Sequence, residues 1–203
     1  MIKGLKICGI SDSQTLNYIL NHAYPPKYIG FITNYEKSKR FVTHEKLKDL
    51  INVDKKQVNF VSVLVNPTNE ALEKIADLKF DYYQLYDVNP IRTLEIKKKY
   101  KVKIISALTI SDKDDVNKFK DYSEISDIIL FDSKGYHKSE SFDHSLLDEV
   151  PNELNKMIAG NIQINDIPNF RNKDYIIDLS GSIENNEGKK DLNKIDKLLN
   201  LFV

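Results

Sequence analysis

The stretch LKICGI, residues 5–10, is a short apolar run, nearly continuous rather than alternating, that carries the only cysteine of the chain, Cys8, and breaks at Gly9. A run of this length without alternation is the pattern of a strand buried on both faces, and such strands belong to parallel sheets covered by helices. Seven runs of the same character follow: YIGFI (28–32), NFVSVLV (59–65), YYQLY (82–86), KIISALT (103–109), DIILFD (127–132), MIA (157–159) and YIIDL (175–179). Between them lie stretches with helical spacing, such as Leu47, Leu50 and Ile51, or Leu72, Ile75, Ala76 and Leu78. These open on residues able to cap a helix, most clearly Asn66-Pro67-Thr68, where the proline suits a first turn, and Ser111-Asp112. The β-α repetition predicts an α/β fold with a parallel sheet, and eight units close as a (β/α)8 TIM barrel, for which ~200 residues is the lower end of the range. The rival, an open doubly wound sheet, lacks its commonest signature: no Walker A or G-x-G-x-x-G sequence follows any of the runs. No linker or low-complexity tract interrupts the pattern, so residues 1–203 are expected to form a single barrel domain.

Charge and composition narrow the function. Thirty basic residues balance 30 acidic ones, so the chain has no basic footprint for nucleic-acid phosphates or an anionic membrane, and neither partner is expected. The opening MIKGLKICGISDSQ breaks its apolar run too early for a signal-peptide core or a membrane span, which predicts a cytoplasmic protein. One cysteine can form neither an internal disulfide nor a Cys-x-x-Cys pair, and none of the four histidines has H-x-x-x-H spacing, so no metal site is expected. Only three of the 30 basic residues are arginines, which makes Arg40 conspicuous; its default reading is a solvated loop cation.

In a (β/α)8 barrel the chemistry sits at the carboxyl ends of the strands. The polar residues there are Cys8, Gln84, Asp132 and Asp178, with Ser180, Gly181 and Ser182 just beyond the last run. A thiol is readily tuned to serve as a proton-abstracting base, and a carboxyl well across the barrel can donate a proton to the other side of a substrate. Taken singly, Cys8 also reads as a small buried hydrophobe, Asp132 as a turn residue in Asp-Ser-Lys-Gly, and Asp178 as a structural hydrogen-bonding group. The loops after the seventh and eighth runs are where barrels hold phosphate on backbone amides, and here they supply Gly160 in IAGN and Ser180, Gly181 and Ser182 in LSGSIENNEG.

With these residues placed, the chain resembles the phosphoribosylanthranilate isomerase family of tryptophan biosynthesis over essentially its whole length. LKICGI resembles the family's opening K-x-C-G-I/L, YIGFI...KSKRFV its G-F-x-F...S-x-R-x-V segment, SVLVN its V-G-V-F-V-N, and YYQLY its V-Q-L-H stretch. ILFDS resembles L-L-D-S, FDHSLL resembles F-D-W, MIAGNI resembles I-L-A-G-G-L, and IDLSGSIENNEGKKD resembles V-D-V-S-S-G-V-E-x-x-x-G-x-K-D. The resemblance implies a ribulose-phosphate-binding TIM barrel catalysing an Amadori rearrangement of N-(5-phosphoribosyl)anthranilate, with a small phosphorylated substrate and no cofactor. By the same resemblance, Cys8 is the general base at the sugar C2 position and Asp132 the general acid at the ring oxygen. Arg40 pairs with the anthranilate carboxylate, Gln84 and Asp178 contact substrate, and Gly160, Ser180, Gly181 and Ser182 hold the phosphate. Four positions depart from the family pattern. Tyr86 replaces the histidine of Q-L-H-G, Asn161 the second glycine of A-G-G, and Ser180-Gly181-Ser182 the S-S-G; KGYHKSESFD has one glycine, Gly135, where the family carries G-G-T-G. The readings left open are a sibling sugar-phosphate isomerase with altered substrate and a non-catalytic phosphate-ligand-binding barrel.

Overall fold

The computed structural model describes residues 1–133 and 141–202. Eight parallel strands run in chain order around a closed barrel: β1 (Gly4–Cys8), β2 (Tyr28–Ile32), β3 (Asn59–Val65), β4 (Tyr82–Tyr86), β5 (Lys103–Ile110), β6 (Ile128–Ser133), β7 (Lys156–Ile158) and β8 (Tyr175–Leu179). The barrel read from the sequence is therefore the one observed, with β7 one residue earlier than MIA and Ala159 just past its end. The helices outside it are α1 (Ser13–Asn21), α2 (His44–Leu50), α3 (Asn69–Ala76), α4 (Pro90–Tyr100), α5 (Lys113–Asn117), α6 (Phe119–Tyr122) and α7 (Leu192–Leu199).

Local chemistry sets the starts of these helices. Asp12, Thr43, Thr68, Asn89, Asp112 and Asp191 each accept a hydrogen bond from a backbone amide of the first turn. Asp112 caps as its sequence suggests, but in Asn66-Pro67-Thr68 the cap is Thr68 and Pro67 precedes the helix; the proline that occupies a first turn is Pro90, behind the Asn89 cap. The β-α alternation weakens in the last third. After β6 and β7 the described segments are 3-10 turns at His144–Leu147 and Ile164–Phe170, and the second contains Pro168, which cannot donate the i→i−4 bond of an α-helix.

Strand parity divides the core into two shells. On β1, Leu5 and Ile7 point to the helices while Lys6 and Cys8 point into the barrel; on β8, Ile177 and Leu179 face the helices while Ile176 and Asp178 face inward. The outer shell is the large aliphatic and aromatic core, including Phe31 edge-on to Phe60 at 5.1 Å. Inside the barrel, Val61, Ile105, Leu130 and Met157 fill the middle.

Closure brings β1 beside β8 with Lys6 opposite Asp178, and Lys6 Nζ donates to Asp178 Oδ2 at 2.6 Å across that seam. Lys6 is 0% exposed and Asp178 7%, so this is an ion pair inside the barrel. Breaking such a pair on one side strands a buried charge, whereas replacing both partners by apolar groups removes the penalty too. In urea unfolding, Asp178→Ala alone is expected to cost about 3–5 kcal/mol. The double variant Lys6→Met with Asp178→Leu is expected to regain most of that loss.

Candidate active site

A cavity of 330 Å³ opens at the carboxyl ends of the strands and brings together all nine residues singled out in the sequence: Cys8, Arg40, Gln84, Asp132, Gly160, Asp178, Ser180, Gly181 and Ser182. Tyr86 and Asn161 line it as well. Gly135 lies outside the described residues, so the loop after β6 is described only at Ser133 and from residue 141 onward.

The Cys8 thiol and the Lys6 ammonium extend from the same face of β1 and meet beneath Gly30 of β2. A Cβ on Gly30 would stand 2.8 Å from Cys8 Sγ and 3.2 Å from Lys6 Nζ, so the glycine is what leaves room for both. Burial pushes the Cys8 thiol up, and the Lys6 charge pulls it back down. Burial would lower the Lys6 ammonium, but the Asp178 carboxylate outweighs it and holds Lys6 above its ordinary value. The thiol thus sits beside a permanent cation that favours its thiolate. Lys6 was not singled out in the sequence, yet the signal was present: two residues from an inward Cys8, it has to point inward too.

Asp132 ends β6 across the barrel. Burial pushes its carboxyl up to about 6, even though Tyr86 Oη donates to its Oδ2 at 2.7 Å. Gln84 Nε2 donates in turn to Tyr86 Oη at 3.2 Å. A buried carboxyl with a value near neutrality can be held protonated and still give up its proton, which is what an acid catalyst requires. The thiol on one wall and the raised carboxyl on another are a candidate acid-base pair set in different environments. Gln84 Oε1 and Asp178 Oδ1 are buried without a hydrogen-bond partner, as is Ser182 Oγ, leaving polar groups in the wall for a ligand to satisfy.

Arg40 reaches the cavity from the loop after β2. Its Nε donates to Glu184 Oε1 at 2.5 Å and its Nη2 to Oε2 at 3.0 Å, so one edge of the guanidinium is engaged by protein. The other edge, with Nη1, remains for an anion in the cavity. Arg40 crosses directly over Gly9, whose φ is +81° and where a Cβ would meet Arg40 Cδ at 2.4 Å. The glycine after the cysteine serves both the turn and this crossing. Glu184 also receives Lys190 Nζ at 3.0 Å and has Lys39 Nζ at 3.4 Å. Burial would raise its carboxyl, but the Arg40 hydrogen bonds and the Lys190 charge hold it at about 2. Lys190 itself is lowered to about 8 by burial, against the pull of Glu184, and donates to the Ser180 carbonyl at 2.9 Å. Neither Glu184 nor Lys190 was given a role from sequence; both lie beyond the last strand, where parity carries no information.

The other end of the cavity is shaped by backbone. Gly160 has φ +95°, and a Cβ there would stand 2.9 Å from the Ser133 backbone nitrogen, so only glycine fits. Asn161 follows at φ +53°, a left-handed conformation that asparagine tolerates better than most residues. Opposite, Gly181–Ile183 form a single 3-10 turn after β8 with Ser182 Oγ unpartnered. Among the described residues no group of three His, Cys, Asp or Glu side chains is arranged to hold a metal, and no helix is long and apolar enough to cross a membrane.

Comparison with known proteins points to one family. A family model described as "N-(5'phosphoribosyl)anthranilate (PRA) isomerase" matches residues 5–201. The N-(5'-phosphoribosyl)anthranilate isomerase of Parabacteroides distasonis is 32% identical over 207 residues, covering 96% of this chain and 91% of its own. The Rhizobium rhizogenes protein of the same name is 31% identical over 204 residues, with 95% and 90% covered. The crystal structure of phosphoribosyl anthranilate isomerase from Thermotoga maritima superposes with a TM-score of 0.83 at 25% identity, covering 98% of this chain and 97% of that one.

The clamp on Glu184 gives a pH prediction. The unfolded carboxyl titrates near its ordinary 4.5 and the folded one at about 2, so its contribution to stability is complete above about 4.5 and is lost as pH falls toward 2. Urea midpoints measured from pH 5 down to 2.5 are expected to fall less steeply in Glu184→Gln than in the parent protein, about this one group's contribution.

Proposed function

The chain belongs to the N-(5'-phosphoribosyl)anthranilate isomerase family, and we infer that Cys8 and Asp132 carry out the isomerisation in this cavity. The reaction is the Amadori rearrangement of N-(5-phosphoribosyl)anthranilate to 1-(2-carboxyphenylamino)-1-deoxyribulose 5-phosphate, an aldose-ketose isomerisation. The observation that carries the assignment of roles is the opposed environment of the two groups: a thiol beside the buried Lys6 cation and a carboxyl raised to about 6.

Asp132 gives its proton to the furanose ring oxygen as the bond from that oxygen to C1 breaks. The anthranilate nitrogen supplies the electron pair, leaving an open-chain protonated imine. The Cys8 thiolate then takes the proton from C2; the C2–H electrons form a C1–C2 double bond and the imine π electrons return to nitrogen. The resulting enolamine tautomerises to the ketose, so substrate and product are isomers and no external oxidant or reductant is consumed. Lys6 lies beside the base as a cation that favours its thiolate, against the burial that pushes the thiol up, and is itself hydrogen-bonded to Asp178. Arg40 offers its free guanidinium edge to the anthranilate carboxylate, Gln84 and Asp178 face the sugar, and the loops at Gly160 and at Ser180, Gly181 and Ser182 receive the phosphate. The enzyme acts as a cytoplasmic protein on a small phosphorylated molecule.

The test is the decay of anthranilate-adduct fluorescence when the purified protein meets freshly prepared phosphoribosylanthranilate. Asp132→Asn and Cys8→Ala are each expected to lower kcat about 10²–10⁴-fold, the range for a lost general acid or base. Retention of the parental rate by either variant would remove that residue from the mechanism.

A further inference from the structure

Tyr86 is not needed by the reaction as written, yet it is buried in the cavity wall against the acid. It lies on the inward face of β4 two residues from Gln84, and strand pairing carries that face across β5 toward β6 and Asp132. Three side chains from two strands make one line: Gln84 Nε2 to Tyr86 Oη at 3.2 Å, and Tyr86 Oη to Asp132 Oδ2 at 2.7 Å. An amide nitrogen can only donate. With Gln84 donating to the phenol oxygen, the single phenol proton is directed at the carboxyl.

We propose that Tyr86 is the positioning residue of the acid: by donating to Asp132 Oδ2 it fixes the carboxyl and leaves the transferable proton to Oδ1. The proposal rests on the reading of Asp132 as the general acid. Tyr86 keeps its own proton throughout, because burial and the neighbouring Asp132 hold the phenol well above its ordinary range. The proton lost in ring opening is therefore that of Asp132, and the tyrosine is a fixed donor to the carboxylate left behind. Among the described residues, the titratable groups around this pair are Asp178 from β8 and Lys6 and Cys8 from β1; Asp178 raises Asp132, and Lys6 lowers it. The Tyr86 hydrogen bond also acts in the lowering sense, because it favours the ionised carboxyl.

Direction is what makes the proposal testable. If the line ran the other way, with a protonated Asp132 donating to Tyr86 and Tyr86 to the Gln84 carbonyl, the bond would favour the neutral carboxyl and its loss would lower the titration midpoint. The experiment is a carbon-NMR titration of aspartate-carboxyl-labelled protein, with the Asp132 signal identified by its loss in Asp132→Asn, in the parent and in Tyr86→Phe. The expected result is a midpoint in Tyr86→Phe raised by about one pH unit, the scale of one charge-assisted hydrogen bond. The limb of the kcat/KM profile set by Asp132 moves in the same direction, and kcat falls about tenfold while KM changes less than about twofold, the split expected when an acid loses alignment but not its substrate. Gln84→Leu, which keeps the phenol, gives a smaller shift of the same sign and serves if Tyr86→Phe fails to fold. A midpoint unmoved or lowered in both variants overturns the proposal. Absence of isomerisation by the parent protein would refute the catalytic reading instead, since the titration reads the hydrogen bond without substrate.

Discussion

The ion pair between Lys6 and Asp178 ties the closure of the barrel to the environment of Cys8. It exists only because β8 returns to pair with β1, and it places a full positive charge inside a largely hydrophobic shell of aliphatic and tyrosine side chains. A buried ammonium is tolerated when a carboxylate meets it at hydrogen-bond distance, and Asp178 does so at 2.6 Å. The pair is thus a consequence of closure rather than a source of large net stability. What it supplies is a cation directly under Cys8, which a thiol on an apolar wall would otherwise lack. Structure and reactivity share the same two side chains.

From that layer outward, the cavity separates the two groups proposed to transfer protons by environment. The thiol is pushed up by burial and pulled back by a neighbouring cation, while the carboxyl of Asp132 is pushed up by burial with a phenol as its hydrogen-bond partner. Neither group needs an unusual conformation; each needs a particular neighbour one or two strands away. The neighbours come from interior positions of β1, β4 and β8, where alternation leaves no freedom to turn a side chain outward without reversing the whole strand.

That constraint also accounts for what was legible in the sequence. Eight near-continuous runs specified a parallel barrel, and placing Cys8, Asp132 and Asp178 at strand ends put them in one cavity, as observed. Tyr86 stood out as the replacement for the histidine of Q-L-H-G, and Lys6 could have been found by parity with Cys8, but 27 of the 30 basic residues are lysine and nothing in the composition distinguishes the buried one. Glu184 and Lys190 were not legible in this way, because they sit in the segment after β8 where side-chain direction follows from turns rather than from strand period. The weak helices after β6 and β7 follow from Pro168 and from the shortness of the FDHSLL segment, local chemistry that the strong β-α rhythm of the first two thirds obscured.

The cluster around Glu184 explains how a chain with no net charge can receive a ligand bearing both a carboxylate and a phosphate. Lys39, Arg40 and Lys190 converge on one carboxylate, three cations to one anion, at the rim between the loops after β2 and β8. Glu184 uses one edge of Arg40 and so presents the other at a set angle; it also tethers Lys190, whose ammonium donates to the Ser180 carbonyl. The same carboxylate therefore fixes the Arg40 guanidinium and braces the turn carrying Gly181 and Ser182. Three cations to one anion leave this rim with an excess of positive charge, while Lys6 is paired within the barrel with Asp178.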